Sequence, residues 1–207
     1  MISHRYRCIF IHIPKTGGTS IEDVIWPGPR SEAELWMGFV KPFRNKYQTG
    51  GLQHLKARQI REEVGAEAFA SYFKFAIVRN PWDKVISQWS YLRLRKDLQD
   101  YLGVSADAPL GRYLDAISGS DHVQVMPQAD FILDENDRPL VDMIGRFETL
   151  EADAGRVFER IGLTDVMLPH TTRSTRDRDY RIYFDDETRQ RVAELYGRDI
   201  ARFGYQY

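Results

Sequence analysis

The residues of this chain best placed to do chemistry are Lys15-Thr16-Gly17-Gly18-Thr19-Ser20, which follow the apolar run Cys8-Ile9-Phe10-Ile11-His12-Ile13 and its closing Pro14. The run is rich in β-branched residues and predicts a buried strand. Pro14 stops it, the two glycines permit torsions and close approaches that a side chain forbids, and the hydroxyl residues open a helix. Amides at the start of such a helix point at an anion, with Lys15 as counter-charge and Thr16, Thr19 and Ser20 as further donors. The chemistry this suits is the grip of a phosphate or a related oxyanion. The spacing is not the Walker form, because Lys15 stands before the glycine pair and not after a second, spaced glycine. A purely structural corner between strand and helix has the same composition, so this stretch alone leaves both readings open.

A second cluster repeats the theme. Tyr72-Phe73-Lys74-Phe75-Ala76-Ile77-Val78 predicts another apolar strand, ending at Arg79-Asn80-Pro81-Trp82-Asp83, and a helix follows through Val85, Ile86, Trp89 and Leu92. Arg79 leaves the strand end and Ser87 lies inside that helix. A guanidinium offers planar bidentate donation and a hydroxyl adds one more hydrogen bond, which suits a second phosphate. The plainer alternative is that Arg79 pairs with Asp83 as a bridge at the helix start and Ser87 is an ordinary helix residue. Two strand-turn-helix units predict parallel strands in an α/β sheet flanked by helices, with ligands beyond the carboxyl ends of the strands.

Taken together, the two turns resemble those of sulfotransferases. His12-Ile13-Pro14-Lys15-Thr16-Gly17-Gly18-Thr19-Ser20 resembles their 5′-phosphosulfate loop, and Val78-Arg79-Asn80-Pro81-Trp82-Asp83-Lys84-Val85-Ile86-Ser87 resembles their 3′-phosphate turn. The likeness is greatest to the carbohydrate enzymes that include the heparan 2-O-sulfotransferases. It covers about residues 7 to 92, with weaker support at Gln128-Ala129-Asp130-Phe131, at Arg146-Phe147-Glu148 and at the C-terminal Tyr196–Tyr205 stretch. The resemblance implies a P-loop-like sulfotransferase fold and 3′-phosphoadenosine 5′-phosphosulfate (PAPS) as donor. It places Lys15, Thr16, Gly17, Gly18, Thr19 and Ser20 on the phosphosulfate, and Arg79 and Ser87 on the 3′-phosphate. It also implies in-line transfer to an acceptor hydroxyl, on a carbohydrate or glycolipid. Lys15 would stabilise charge on the departing oxygen, and the mechanism requires no metal.

An attacking hydroxyl must lose a proton, and histidine is the side chain tuned for that near neutral pH. His54 occupies the place, between the cradle and the second strand, where these enzymes carry a catalytic histidine; its plainer role would be to cap the helix that begins near Leu55. His12 reads as structural, with His122 and His170 as looser candidates for the base. The basic segment His170 to Arg181 is placed to cover the nucleotide, with Arg173 and Ser174 as its contacts; a solvated loop balanced by Asp177 and Asp179 is the alternative.

Composition bounds the rest. The 207 residues suit one domain with one core. Lys plus Arg number 29 against 30 Asp plus Glu, a net charge of −1, which argues against nucleic acid as partner and confines any positive potential to a cleft. The single cysteine, Cys8, excludes an internal disulfide or a multi-cysteine zinc site and reads as a buried, inert thiol. No apolar stretch is long enough to span a bilayer, and a cytoplasmic, reducing location is expected.

Further along, Thr19 to Trp26, Lys56 to Val64, Pro109 to Ser118 and Leu150 to Ile161 are expected as helices. Residues 30 to 51 form an irregular aromatic passage that could cover the cleft or bind an acceptor. Ala129–Leu133 and Leu140–Ile144 are expected as extended segments around the polar turn at Asp134–Asp137. A last helix starts at Asp185-Asp186 and carries Val192, Leu195, Tyr196, Ile200 and Phe203 on one stripe. Two rival functions remain: a nucleotide or small-molecule kinase, for which Asp142 is the weak candidate magnesium partner, and a non-catalytic nucleotide-binding protein.

Overall fold

The computed structural model describes residues 1–27, 54–169 and 176–207. The aromatic passage at 30–51 and the nucleotide contacts expected of Arg173 and Ser174, with His170, lie outside the described residues.

The centre is a four-stranded sheet in the order β1 (Ile2–Ser3), β2 (Cys8–Ile11), β3 (Phe73–Val78), β4 (Met143–Arg146). β1 runs antiparallel to β2, with Ile2 opposite Ile9. The other pairs are parallel, in register from Cys8 with Phe73 to Ile11 with Ala76 and from Phe75 with Met143 to Val78 with Arg146. Apart from Lys74 near the start of β3, both central strands are apolar because helices cover both faces. Ile9, Ile11, Ala76 and Val78 face α2 (Ala57–Val64) and α7 (Ala129–Ile132). The alternate residues Cys8, Phe10, Phe75 and Ile77 face α1 (Gly18–Ile25) and α8 (Leu150–Arg160), as the two-residue period of a strand requires. Cys8 is buried in that second layer, where burial pushes its thiol up to about 12.

The remaining helices are α3 (Ala66–Ser71), α4 (Pro81–Leu92), α5 (Lys96–Leu102), α6 (Leu110–Ile117), α9 (Asp186–Leu195) and α10 (Gly197–Phe203). α4, α6 and α9 share a cluster of their own through Val85, Ile86, Tyr113, Leu114 and Val192. No helix among the described residues is long and apolar enough to cross a membrane.

Two expectations are corrected. Ala129–Ile132 is helical, not extended, because the buried Asp199 carboxylate accepts from the amides of Gln128 and Ala129 at 2.8 and 2.9 Å and so caps that turn. Only Leu133 and Pro139 bridge across the polar turn, and the segment after it joins β3 as β4. The last helix is two: the backbone leaves helical torsions at Tyr196 (φ −117°, ψ 25°), whose hydroxyl donates to the Val125 carbonyl at 2.7 Å.

Asp199 is therefore a long-range fastener. It is fully buried, its carboxyl is raised by that burial, and the buried Lys84 offsets part of the cost. Asp199→Ala strands two buried amides and the Lys84 ammonium, and is expected to lower unfolding free energy by about 3 kcal/mol in urea denaturation.

Candidate active site

Both turns end at the same edge of the sheet. After β2, Lys15 and Gly17 take left-handed torsions (φ 68° and 81°), so the backbone doubles back into a concave loop at the start of α1. A non-glycine residue in that region costs about 1 kcal/mol, so Lys15 is held there by its surroundings. Neither glycine can carry a side chain: a Cβ at Gly17 would lie 2.7 Å from Leu150 Cδ2, and one at Gly18 would lie 2.3 Å from the His12 ring. Thr19 is exposed and Ser20 half-buried in the first turn of α1. Thr16 differs from expectation in one respect. It is buried, and its hydroxyl donates back to the Ile13 carbonyl at 2.8 Å, closing the turn and not facing outward.

The second turn is joined to the first directly. Arg79 Nη1 donates to the Lys15 carbonyl at 2.8 Å, and the guanidinium lies 3.8 Å over the Phe147 ring. Its Nε donates to Asp83 Oδ2 at 2.7 Å, so the helix-bridge alternative is present in the same residue. Asp83 accepts a second guanidinium, that of Arg176, at 2.5 Å. The Arg79 main chain is fixed on both sides by the Gln128 amide, which accepts from Arg79 N and donates to Arg79 O, each at 2.8 Å. Next to it, Asn80 N donates to Glu148 Oε1 at 2.6 Å, and the Asn80 side chain caps α4 by accepting from Trp82 N. Ser87 is half-buried on α4, two helical turns beyond.

His54 is brought to the cradle by one contact. Its Nδ1 lies 2.8 Å from the His12 carbonyl, and the two imidazoles meet edge to face at 4.5 Å. A carbonyl only accepts, so Nδ1 carries the proton and Nε2 keeps its lone pair. Burial, reinforced by His12, depresses the His54 pKa well below the ordinary histidine value, so the ring is neutral at physiological pH. His12 is structural, as expected. It is buried, stacked on Phe10, and its Nδ1 donates to the buried carboxylate of Glu22 at 2.6 Å. His122 is used elsewhere: its Nδ1 accepts from Gln124 N at 3.1 Å, so its other nitrogen carries the proton and no lone pair is left for a base.

Four cationic side chains gather near the loop: Arg79 and Arg176 share Asp83, Arg95 pairs with Asp97, and Lys15 lies among them. Lys15 Nζ sits 3.8 Å over the Tyr91 ring, whose hydroxyl accepts from Arg95 at 3.0 Å. Burial, with Arg79, Arg176 and Arg95 near, pulls the Lys15 ammonium down to about 8. A loop with no room for a side chain, backed by a lysine and a buried arginine, has the donors and charge to hold an oxyanion.

A family model described as the sulfotransferase family matches residues 1–206. The chain belongs to that family. Carbohydrate sulfotransferase 10 of Xenopus laevis is 26% identical over 250 aligned positions, covering 99% of this chain and 66% of that protein. An uncharacterized protein of Archaeoglobus fulgidus is 31% identical over 111 residues, 54% of this chain and 85% of that one. No solved structure matches significantly.

As a sulfotransferase, the chain brings Lys15, Thr16, Gly17, Gly18, Thr19, Ser20, Arg79 and His54 into one locality, while the sequence reading missed Glu22, Tyr91, Arg95 and Arg176. Glu22 had a signal: a carboxylate beside Ile21 and Ile25 on the apolar stripe of α1. Arg176 lies in the basic segment that was noticed, two residues beyond the pair chosen from it. Tyr91 and Arg95 carried none, because only the fold turns the end of α4 toward Lys15.

The glycine geometry gives a direct test. Gly18→Ala forces a methyl into the His12 ring, and is expected to lower stability by about 2 kcal/mol in thermal or urea unfolding, whereas Thr19→Ala, on an exposed site, changes it by less than about 0.5 kcal/mol.

Proposed function

We propose that this sulfotransferase moves the sulfuryl group of PAPS to a hydroxyl of a carbohydrate acceptor, with Lys15 and the cradle on the phosphosulfate, Arg79 and Ser87 on the 3′-phosphate, and His54 as base. The observation that supports this reading is the 2.8 Å bond from Arg79 to the Lys15 carbonyl, which joins the two turns. A nucleotide with an anionic group at each side of its ribose would use both turns; one with a single phosphate chain would use one. The name of the frog relative supports a carbohydrate acceptor.

When bound, the donor supplies an electrophilic sulfur with a phosphate as its leaving group. The chain does the remainder. His54 Nε2 takes the proton of the acceptor hydroxyl as its oxygen bonds to sulfur, while Nδ1–H stays on the His12 carbonyl and fixes the ring. The electron pair of the broken sulfur–oxygen bond goes to the departing phosphate, and the Lys15 ammonium stands where that charge grows. The kinase alternative loses its acidic candidate: Asp142 precedes β4, at the opposite end of the sheet from the cradle, and binds Lys74 at 2.9 Å.

Calorimetric binding of adenosine 3′,5′-bisphosphate against AMP, ADP and ATP tests the donor site. Tight binding should require the 3′-phosphate and weaken by about 10- to 100-fold in Arg79→Ala. Indifference to the 3′-phosphate, or a preference for ATP with magnesium, would sink the proposal.

Two titrations bear on the chemistry. The lysine ammonium is charged below about 8 and neutral above it, so affinity for the bisphosphate should hold from pH 6 to 7.5 and fall beyond pH 8. Lys15→Arg should abolish that fall, since a guanidinium stays charged. His54, depressed by burial, is deprotonated across neutral pH, so turnover should show no acid limb between pH 7.5 and 6. His54→Ala should cost about 100-fold or more in kcat with bisphosphate affinity unchanged.

A further inference from the structure

The end of the sheet away from the cradle carries a second concentration of positive charge. A concavity of about 550 Å³ opens there among Arg7, Ser71, Tyr72, Phe73, Asp142 and Arg160. Arg7 immediately precedes β2, Phe73 begins β3, Asp142 precedes β4 and Arg160 ends α8, so all stand at the amino-terminal edge of the parallel strands. The four residues of β2 separate this edge from the cradle by about 13 Å.

Two guanidiniums face the space. Arg7 lies 4.9 Å over Tyr72 and Arg160 lies 5.8 Å over Phe73. Among the described residues neither has a carboxylate partner, whereas the acid of the concavity, Asp142, is already bound by the Lys74 ammonium at 2.9 Å and the Lys74 amide at 2.7 Å. The framework is fixed before any ligand arrives. The Tyr72 hydroxyl is bonded to His4 Nδ1 at 2.8 Å, the Phe73 amide donates to the Arg7 carbonyl at 3.0 Å, and Arg7 holds a left-handed backbone (φ 48°). One Arg7 nitrogen donates to the Ser71 carbonyl at 3.5 Å; with no internal carboxylate, the remaining guanidinium donors can meet an oxyanion. The volume exceeds what a bare ion fills, and Ser71 and Asp142 can hydrogen-bond hydroxyls.

We propose that this concavity is a second binding site, remote from the transfer centre, for an acidic saccharide: a sugar unit whose sulfate or carboxylate lies between Arg7 and Arg160 and whose hydroxyls meet Ser71 and Asp142. The choice of a sugar rests on the carbohydrate acceptor proposed above; the preference for an anion rests on the two arginines. Asp142 among them disfavours a bare polyanion such as nucleic acid.

The test uses the full chain saturated with adenosine 3′,5′-bisphosphate, which covers the cations of the cleft, titrated with a fluorescent sulfated uronic-acid tetrasaccharide. The desulfated, carboxyl-reduced tetrasaccharide and inorganic sulfate serve as controls. The Arg7→Gln/Arg160→Gln double variant should bind the acidic tetrasaccharide about tenfold more weakly, with bisphosphate affinity and melting temperature unchanged. Lys15→Ala should leave saccharide affinity intact. If the double variant folds poorly, Arg160→Gln alone, at an exposed helix end, should cost about threefold. The proposal is overturned if arginine removal leaves affinity unchanged, if the neutral tetrasaccharide binds as well, or if inorganic sulfate competes as strongly as the saccharide. Arginine-dependent saccharide binding in a chain that proves indifferent to the bisphosphate would uphold this site while removing the donor reading.

Discussion

The structure depends on one buried guanidinium. Arg79 ends the central strand β3 and ties together parts of the chain that no local rule would bring near: the cradle through the Lys15 carbonyl, α4 through Asp83, and the end of β4 through the Phe147 ring. Its own backbone is held by Gln128, whose amide is held by Asp199, itself on α10. A guanidinium has five donors in one plane and stays charged even when buried, so it alone among side chains can serve so many partners at once. Remove it, and Asp83 keeps only Arg176 while the two turns lose the bond that sets their spacing.

That arrangement explains why three short stretches of weaker family resemblance lie where they do. Gln128 clasps Arg79, Phe147 and Glu148 contact Arg79 and Asn80, and the C-terminal segment closes on the same turn, with the Tyr205 hydroxyl 3.2 Å from Glu148 Oε2 and the Asn80 amide donating to the Gln206 carbonyl at 2.8 Å. Scattered along the chain, these residues look unrelated. In space they are successive shells around one arginine. The Arg79 turn and the closing of the fold are therefore the same structure, and a change in the last ten residues can be felt at Arg79.

What was legible in the sequence was what is local. Strand, proline, glycine pair and hydroxyl-led helix follow from torsional preference and hydrophobic period, so both turns and both central strands could be read from neighbouring residues alone. What was not legible depends on partners far away. Ala129–Ile132 is helical because a carboxylate 70 residues on caps it, and its sequence carries no sign of that. The break at Tyr196 is equally hidden, because the apolar stripe runs through it unbroken while the Val125 carbonyl draws the phenol aside. The orientation of the Thr16 hydroxyl was hidden for another reason: composition names a hydroxyl but not the direction it faces.

The cradle carries a further constraint that couples its two halves. Gly18 has no room for a Cβ because the His12 ring fills it, and the His12 ring is there because Glu22, one turn further along α1, holds its Nδ1. The same His12 presents its carbonyl to His54 and so decides which nitrogen of His54 keeps its lone pair. One residue thus sets both the bareness of the anion loop and the tautomer of the histidine. Substituting Glu22 would leave a buried imidazole without its carboxylate and loosen a ring packed against both Gly18 and His54, so the loop and His54 should be disturbed together.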